Sequence, residues 1–230
     1  MGRKPGQRLS ISGPPASSSS PSPFVRACLL LVCSLAPLAA TADLRVVVVD
    51  QEGQPLANAV VESRHEALQQ VPNEIAIIDQ VNKRFVPMVI AIARGQSVNF
   101  PNNDNIRHHV YSFSPIQQFS TELYADVHGD PILFDQAGIA VLGCNIHDSM
   151  VGYIYVSEFA HVAVTDAEGR ATLDVSDLPP SLSIWHPWST DPDNRRELNA
   201  LEPDADGTLR VQLNVRQPEQ VFGFRALTQP

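Results

Sequence analysis

One short run of the chain, Gly143-Cys-Asn-Ile-His-Asp-Ser-Met-Val-Gly152, holds a thiol, an imidazole and a thioether at Cys144, His147 and Met150. Two more imidazoles, His108 and His109, stand upstream. A soft thiolate, imidazoles and a thioether form the donor set of a type 1 copper site. Cu(I) prefers soft sulfur and Cu(II) accepts imidazole, so a His2Cys plane with a long axial Met tolerates both states. Little rearrangement between states leaves a small barrier, and such a site moves single electrons without bond chemistry of its own. The thiolate binds only when deprotonated, so a metal there would also shield Cys144 from oxidation.

Other chemistries fit these residues less well. Zinc sites are built from several Cys and His, and Met is not a zinc ligand. A Cys144–His147 nucleophile pair would sit three residues apart on a loop, with no evident orienting side chain and with Met150 beside it. A two-copper site would want a second Cys near Cys144, and position 148 is Asp. His65 and His128 fall in polar stretches and read as exposed, and His161 and His186 lie outside the ligand region. The aromatic run Ile184-Trp-His-Pro-Trp188 reads as core or interface.

The elements that must position the donors follow from the pattern. Residues 138–143 (GIAVLG) and 151–156 (VGYIYV) are strand-like, so 144–150 is a hairpin tip. Alternation puts Ala140, Leu142 and Cys144 on one face, and Met150, Ile154 and Val156 on one face of the returning strand. His147 then sits at the apex, its outer edge toward solvent. The remaining imidazole must come from another strand, from His108 or His109. Parity does not choose between them, since His109 shares a face with Tyr111 and Phe113.

The N-terminus predicts export. Arg3, Lys4, Arg8 and Arg26 precede an apolar stretch, Ala27 to Ala40, and Ala40-Thr-Ala42 offers a small-x-small cleavage site. The stretch is too short, and too broken by Ser34 and Pro37, to favour a membrane span. Residues 1–42 are therefore expected to be a signal peptide. The 230-residue chain has a formal charge of −9, and loss of those four basic residues makes it −13. Such acidity opposes binding to nucleic acid or anionic membranes and permits steering toward a basic partner. Cys28 and Cys33 leave with the signal. Cys144 is then alone in an oxidising compartment, without an intramolecular disulfide partner.

The rest predicts an all-β fold. Val/Ile-rich runs at 44–49, 57–63, 74–79, 89–93, 97–100, 109–113, 162–165, 171–175, 182–185 and 208–215 alternate with Gly, Pro, Asn and Asp clusters. Asp50-Gln-Glu-Gly53 and Asp166-Ala-Glu-Gly169 predict turns with Gly at positive φ. Arg64–Gln70 predicts a turn or two of helix, and Ser189–Gly207 a long surface loop.

Two longer stretches resemble a known family. Phe85-Val-Pro-Met-Val-Ile-Ala-Ile-Ala-Arg-Gly-Gln-Ser-Val-Asn-Phe-Pro-Asn-Asn-Asp104 is similar to the middle of plastocyanin- and amicyanin-type cupredoxins, and Gly138–Val156 is similar to their final hairpin. The Cys-x2-His-x2-Met spacing is the short loop of amicyanins. The resemblance implies a Greek-key β-sandwich over residues 71–157, binding one type 1 copper through His108, Cys144, His147 and Met150. His109 takes the place of the Asn that normally follows the first His ligand. Stretches at 50–61 and 165–185 resemble carboxypeptidase-regulatory-like modules. They imply a second, smaller β-sandwich made of 43–70 and 158–230, with the copper domain inserted between its halves. The longer chain resembles cupredoxin-like proteins linked to methylamine utilisation. This implies a periplasmic or secreted electron carrier, not an enzyme, exchanging electrons with dehydrogenase- or cytochrome-type partners over Ile146 and Asp148. Copper storage or delivery, or a metal-free binding scaffold, are the rival expectations.

Overall fold

The computed structural model describes residues 42–126, 129–147 and 149–218. Most of the expected signal peptide, His128 and Asp148 lie outside the described residues. Along the chain run β1 (Ala42–Val49), β2 (Val60–Ala67), β3 (Ala76–Ile77), β4 (Asp79–Val81), β5 (Arg84–Val86), β6 (Val89–Ala93), β7 (Gln96–Asn99), β8 (Tyr111–Ser114), β9 (Gln117–Ser120), β10 (Ile132–Phe134), β11 (Gly138–Gly143), β12 (Val151–Ser157), β13 (Phe159–Val164), β14 (Arg170–Val175), β15 (Leu182–Trp185), β16 (Arg195–Leu198) and β17 (Thr208–Gln212), with a 3-10 turn at Pro192–Asn194. The all-β class expected from the sequence is the class observed. Among the described residues no helix is long and apolar enough to cross a membrane.

Period-two alternation builds the first sandwich. In β1, Leu44, Val46 and Val48 are buried; in β14, Ala171, Leu173 and Val175 are buried while Arg170, Thr172 and Asp174 face out. These strands form the sheet β14-β1-β17, with β1 antiparallel to β14 and parallel to β17. It packs on the sheet β13-β2-β15-β16 through Val61, Leu182 and Ile184. Both predicted Gly turns form, with Gly53 at φ 78° and Gly169 at φ 71°. The carboxylates of Asp50 and Asp166 each accept two backbone N–H groups of their own turn. Any Cβ at Gly169 would lie 2.4 Å from the Val48 carbonyl oxygen, so that turn needs glycine for space as well as for φ.

A second sandwich uses the strands between. The five-stranded sheet β6-β12-β11-β8-β9 faces the sheet β10-β7-β3. Its core includes Ile92, Val98, Phe100, Val110, Phe134, Leu142, Ile154 and Val156, with Cys144 and Met150 at one end.

The outer faces of sheets β13-β2-β15-β16 and β6-β12-β11-β8-β9 meet at a third cluster, where Val60 and Trp185 pack against Val89 and Tyr155. The Trp185 ring lies 5.8 Å from both Tyr153 and Tyr155. At its edge sits a buried charge. The Glu62 carboxylate accepts hydrogen bonds from Tyr155 Oη (2.9 Å), Ser157 Oγ (2.7 Å) and Arg64 Nε (3.0 Å). Arg195 donates to Tyr155 Oη (2.7 Å) and Ser183 Oγ (2.6 Å) and stands 3.8 Å from Glu62. The partners compensate a carboxylate that would otherwise be costly to bury.

Two sequence expectations fail here. Arg64–Ala67 is the end of β2, not helix. Pairing to β13 wins over local propensity, with an irregular register between Phe159 and His161 absorbing the mismatch. The expected loop 189–207 contains β16, an edge strand of four residues paired with β15. Its sequence, Arg-Arg-Glu-Leu, carries no alternation signal.

Candidate metal centre

The β11–β12 ladder runs in register from Gly138↔Val156 to Gly143↔Val151, so residues 144–150 are a hairpin tip as expected. Cys144 continues the inward face of Ala140 and Leu142 and is 4% exposed. Met150 is buried in the same apolar cluster, and its N–H donates to the His147 carbonyl at 3.0 Å, closing the loop.

The upstream imidazoles are sorted by the strand they enter. His108, Val110 and Ser112 are buried, whereas Phe113 is exposed and His109 and Tyr111 are half-exposed. His109 is hydrogen-bonded to Ser120 (2.9 Å), and its ring lies 5.7 Å from Tyr111, itself 5.0 Å from Phe113. His108 instead turns into the core. Its backbone is pinned by a reciprocal pair of hydrogen bonds with Tyr124 (2.9 and 3.0 Å). The preceding loop is braced by Asn102, whose side-chain N–H groups reach the carbonyls of Ile106 and Tyr124, both at 2.9 Å.

His108, Cys144 and His147 each bring one donor atom to a common place, all within 4.8 Å of one another. His108 Nδ1 is 3.7 Å from Cys144 Sγ. Donors about 2.0 and 2.3 Å from one centre, about 120° apart, stand about 3.7 Å from each other, so the spacing suits a shared metal ion. The His108 and His147 ring centroids are 5.2 Å apart. Among the described residues His147 Nδ1 is buried without a hydrogen-bond partner, as is His109 Nδ1, and such a nitrogen is costly to bury unless something else engages it. Burial holds the His147 pKa below the ordinary imidazole value, and the nearby His108 ring and Lys83 act in the same direction. That favours the neutral ring a metal requires.

Behind His108 stands Asp104, which the sequence reading did not single out. Its Oδ2 is 2.9 Å from His108 Nε2 and also accepts the Lys83 N–H at 2.7 Å, while Oδ1 accepts the Asn105 N–H at 3.0 Å. The bond from His108 first, then the Lys83 amide, hold the Asp104 carboxyl down at about 2. Lys83 is presented by the tight β4–β5 hairpin, whose turn residues Asn82 and Lys83 both have positive φ (52° and 58°). The i,i+4 spacing of Asp104 and His108 was the available signal, but in a loop that spacing dictates no contact.

Of the other singled-out residues, Ile146 is exposed beside His147 on the same tip. His186 is buried elsewhere, hydrogen-bonded to the Ala57 carbonyl, and His161 pairs with Glu66 at 3.1 Å. His65 is exposed.

No protein-family model matches the chain, and no curated protein does. Among solved structures, the chain is similar to a purple cupredoxin from Nitrosopumilus maritimus (25% identity, covering 36% of this chain and 99% of that one, TM-score 0.32). It is also similar to amicyanin from Paracoccus versutus (19% identity, 42% and 97%, TM-score 0.33). A third is a copper-containing nitrite reductase from Thermus scotoductus (23% identity, TM-score 0.36), where the match covers 50% of this chain and 28% of that one. These likenesses are partial in extent, and the chemistry of the site is carried by its own residues.

Proposed function

We propose that the protein is a cupredoxin-type electron carrier that holds one copper ion through His108, Cys144, His147 and Met150. The observation that carries the proposal is the convergence of one imidazole nitrogen from each of two histidines on a buried thiol, within 4.8 Å. When bound, copper supplies a centre that alternates between +1 and +2.

The chain's own residues do the rest. Cys144 and the two imidazoles would hold the ion, with the buried Met150 thioether as a weaker donor beside them. Buried Leu142 and Val110, each two residues from a donor, flank the site with apolar core and limit its rearrangement. His147, on the hairpin tip beside exposed Ile146, is the route by which an electron leaves, and a redox protein docks over Ile146, Asp148 and the neighbouring apolar rim. We further propose that residues 71–157 form the copper domain, inserted between the halves 43–70 and 158–230. The pairing of β1 with β14 and β17 supports this reading. Cleavage of residues 1–42 would release the carrier to the periplasm or exterior.

The test is a redox titration of the copper-loaded protein. A reversible one-electron couple, cycled repeatedly without loss of metal, supports a carrier. Release of copper on each reduction would contradict it and favour delivery.

A further inference from the structure

We propose that Asp104 is a charged positioning residue for His108: its carboxylate fixes the ring as the Nε2–H tautomer and biases a bound copper toward its more highly charged state. The second half rests on the copper reading above; the first half does not.

The tautomer follows from what each ring nitrogen faces. An ionised carboxylate is acceptor-only, so the nitrogen 2.9 Å from Asp104 Oδ2 must carry the proton. In the neutral ring the other nitrogen, Nδ1, is then unprotonated and faces Cys144 Sγ, 3.7 Å away. A metal needs that lone pair free; with the opposite tautomer a proton would stand between imidazole and thiolate. The choice is made before any metal arrives, by a carboxylate that three donors hold in place: the Lys83 and Asn105 amides and the ring itself.

The bias follows from charge and burial. The Asp104 side chain is 9% exposed and that of His108 is fully buried, so little water lies between them to screen the carboxylate. A histidine that donates to a carboxylate is a more basic ligand than one that donates to a neutral group. A more basic ligand favours Cu(II) over Cu(I) and lowers the reduction potential. The hairpin turn at Asn82-Lys83 thereby becomes part of the site, since its amide helps to hold the carboxylate on the ring.

A purely structural role for Asp104 is the competing explanation, because the same carboxylate also braces its loop. Asp104→Asn separates the two. The amide oxygen can still accept the ring N–H and the Lys83 N–H, but the charge is gone and the Asn105 N–H loses its acceptor. For the copper-loaded protein we expect the ratio of Cu(II) to Cu(I) affinity to fall about tenfold in Asp104→Asn, which raises the potential by about 59 mV. The thiolate-to-copper absorption persists. A potential shifted by less than the equivalent of a twofold change would overturn the tuning role.

The tautomer is read without copper and without any substitution, from the side-chain 15N resonances of His108 in the reduced metal-free protein. A protonated Nε2 and a bare Nδ1 are expected, and a protonated Nδ1 would overturn the assignment. Should the wild-type protein take up no copper, the tuning role falls together with the copper reading. The 15N result then still decides the tautomer by itself.

Discussion

His108 Nδ1 and Cys144 Sγ lie 3.7 Å apart although 36 positions separate the two residues. One sits at the end of a braced loop entering β8, the other at the foot of the β11–β12 hairpin. Adjacent strands bring them together through the Gly143↔Tyr111 pair. The neighbouring His109 faces the other way, onto Ser120 and Tyr111. His108→Ala should therefore abolish the charge-transfer colour of the Cu(II) protein, and His109→Ala should retain it. Visible spectra of the two variants check this; the reverse pattern would assign the ligand to His109.

Met150 is buried at the same end of the core as Cys144. In such a site the weak fourth donor and the apolarity around it tune the reduction potential, and an apolar side chain in its place disfavours the more highly charged Cu(II). Met150→Leu conserves the volume and should keep the colour while raising the reduction potential, as cyclic voltammetry would record. Loss of the thiolate band would make Met150 a principal ligand instead.

Glu62 holds the junction of the two sandwiches. Removing its side chain leaves Arg195 with an uncompensated, largely buried charge. Glu62→Ala should cost about 3–5 kcal/mol of unfolding free energy, the range for breaking a buried pair. Glu62→Gln should cost less, since the amide oxygen can still accept from Tyr155 Oη while the amide NH2 donates to Ser157 Oγ. Urea denaturation of the three proteins measures this, and a loss under about 1 kcal/mol for the alanine variant would contradict the role.

His186 is fully buried, accepts the Trp188 N–H at Nδ1 and donates to the Ala57 carbonyl from Nε2, both at 3.2 Å. Only the neutral ring can do both. Burial pushes its pKa down to about 4, against 6.5 ordinarily. Because the folded value is the lower one, the unfolded chain binds the proton first. The stability conferred by the neutral ring is complete above pH 6.5 and is lost as pH falls toward 4, by about 3 kcal/mol in all. Unfolding free energies between pH 7 and 4 should show this slope, and His186→Gln should remove that part of it. Parallel slopes in the two proteins would contradict it.

The parts of this architecture legible in sequence are those set by local periodicity. β1 and β14 alternate cleanly, the Asp-x-x-Gly turns carry their own capping carboxylates, and Cys144 falls in phase with Ala140 and Leu142. Residues whose state depends on distant partners were not legible. Arg64–Ala67 becomes strand because β13 lies beside it, and Arg195 enters a strand because Tyr155 and Ser183 receive its guanidinium. The choice of His108 over His109 as the inward ring depends on where Tyr124 pins the loop. Asp104 was invisible for the same reason: a loop carboxylate acquires meaning only when the ring four residues on is turned toward it.

The most direct measurement is to add one equivalent of Cu(II) to the reduced metal-free protein and record the visible spectrum, with Cys144→Ala alongside. Intense thiolate-to-copper absorption in the wild type and none in the variant is the predicted result. A wild-type protein that stays colourless would contradict the proposal that His108, Cys144 and His147 bind copper together.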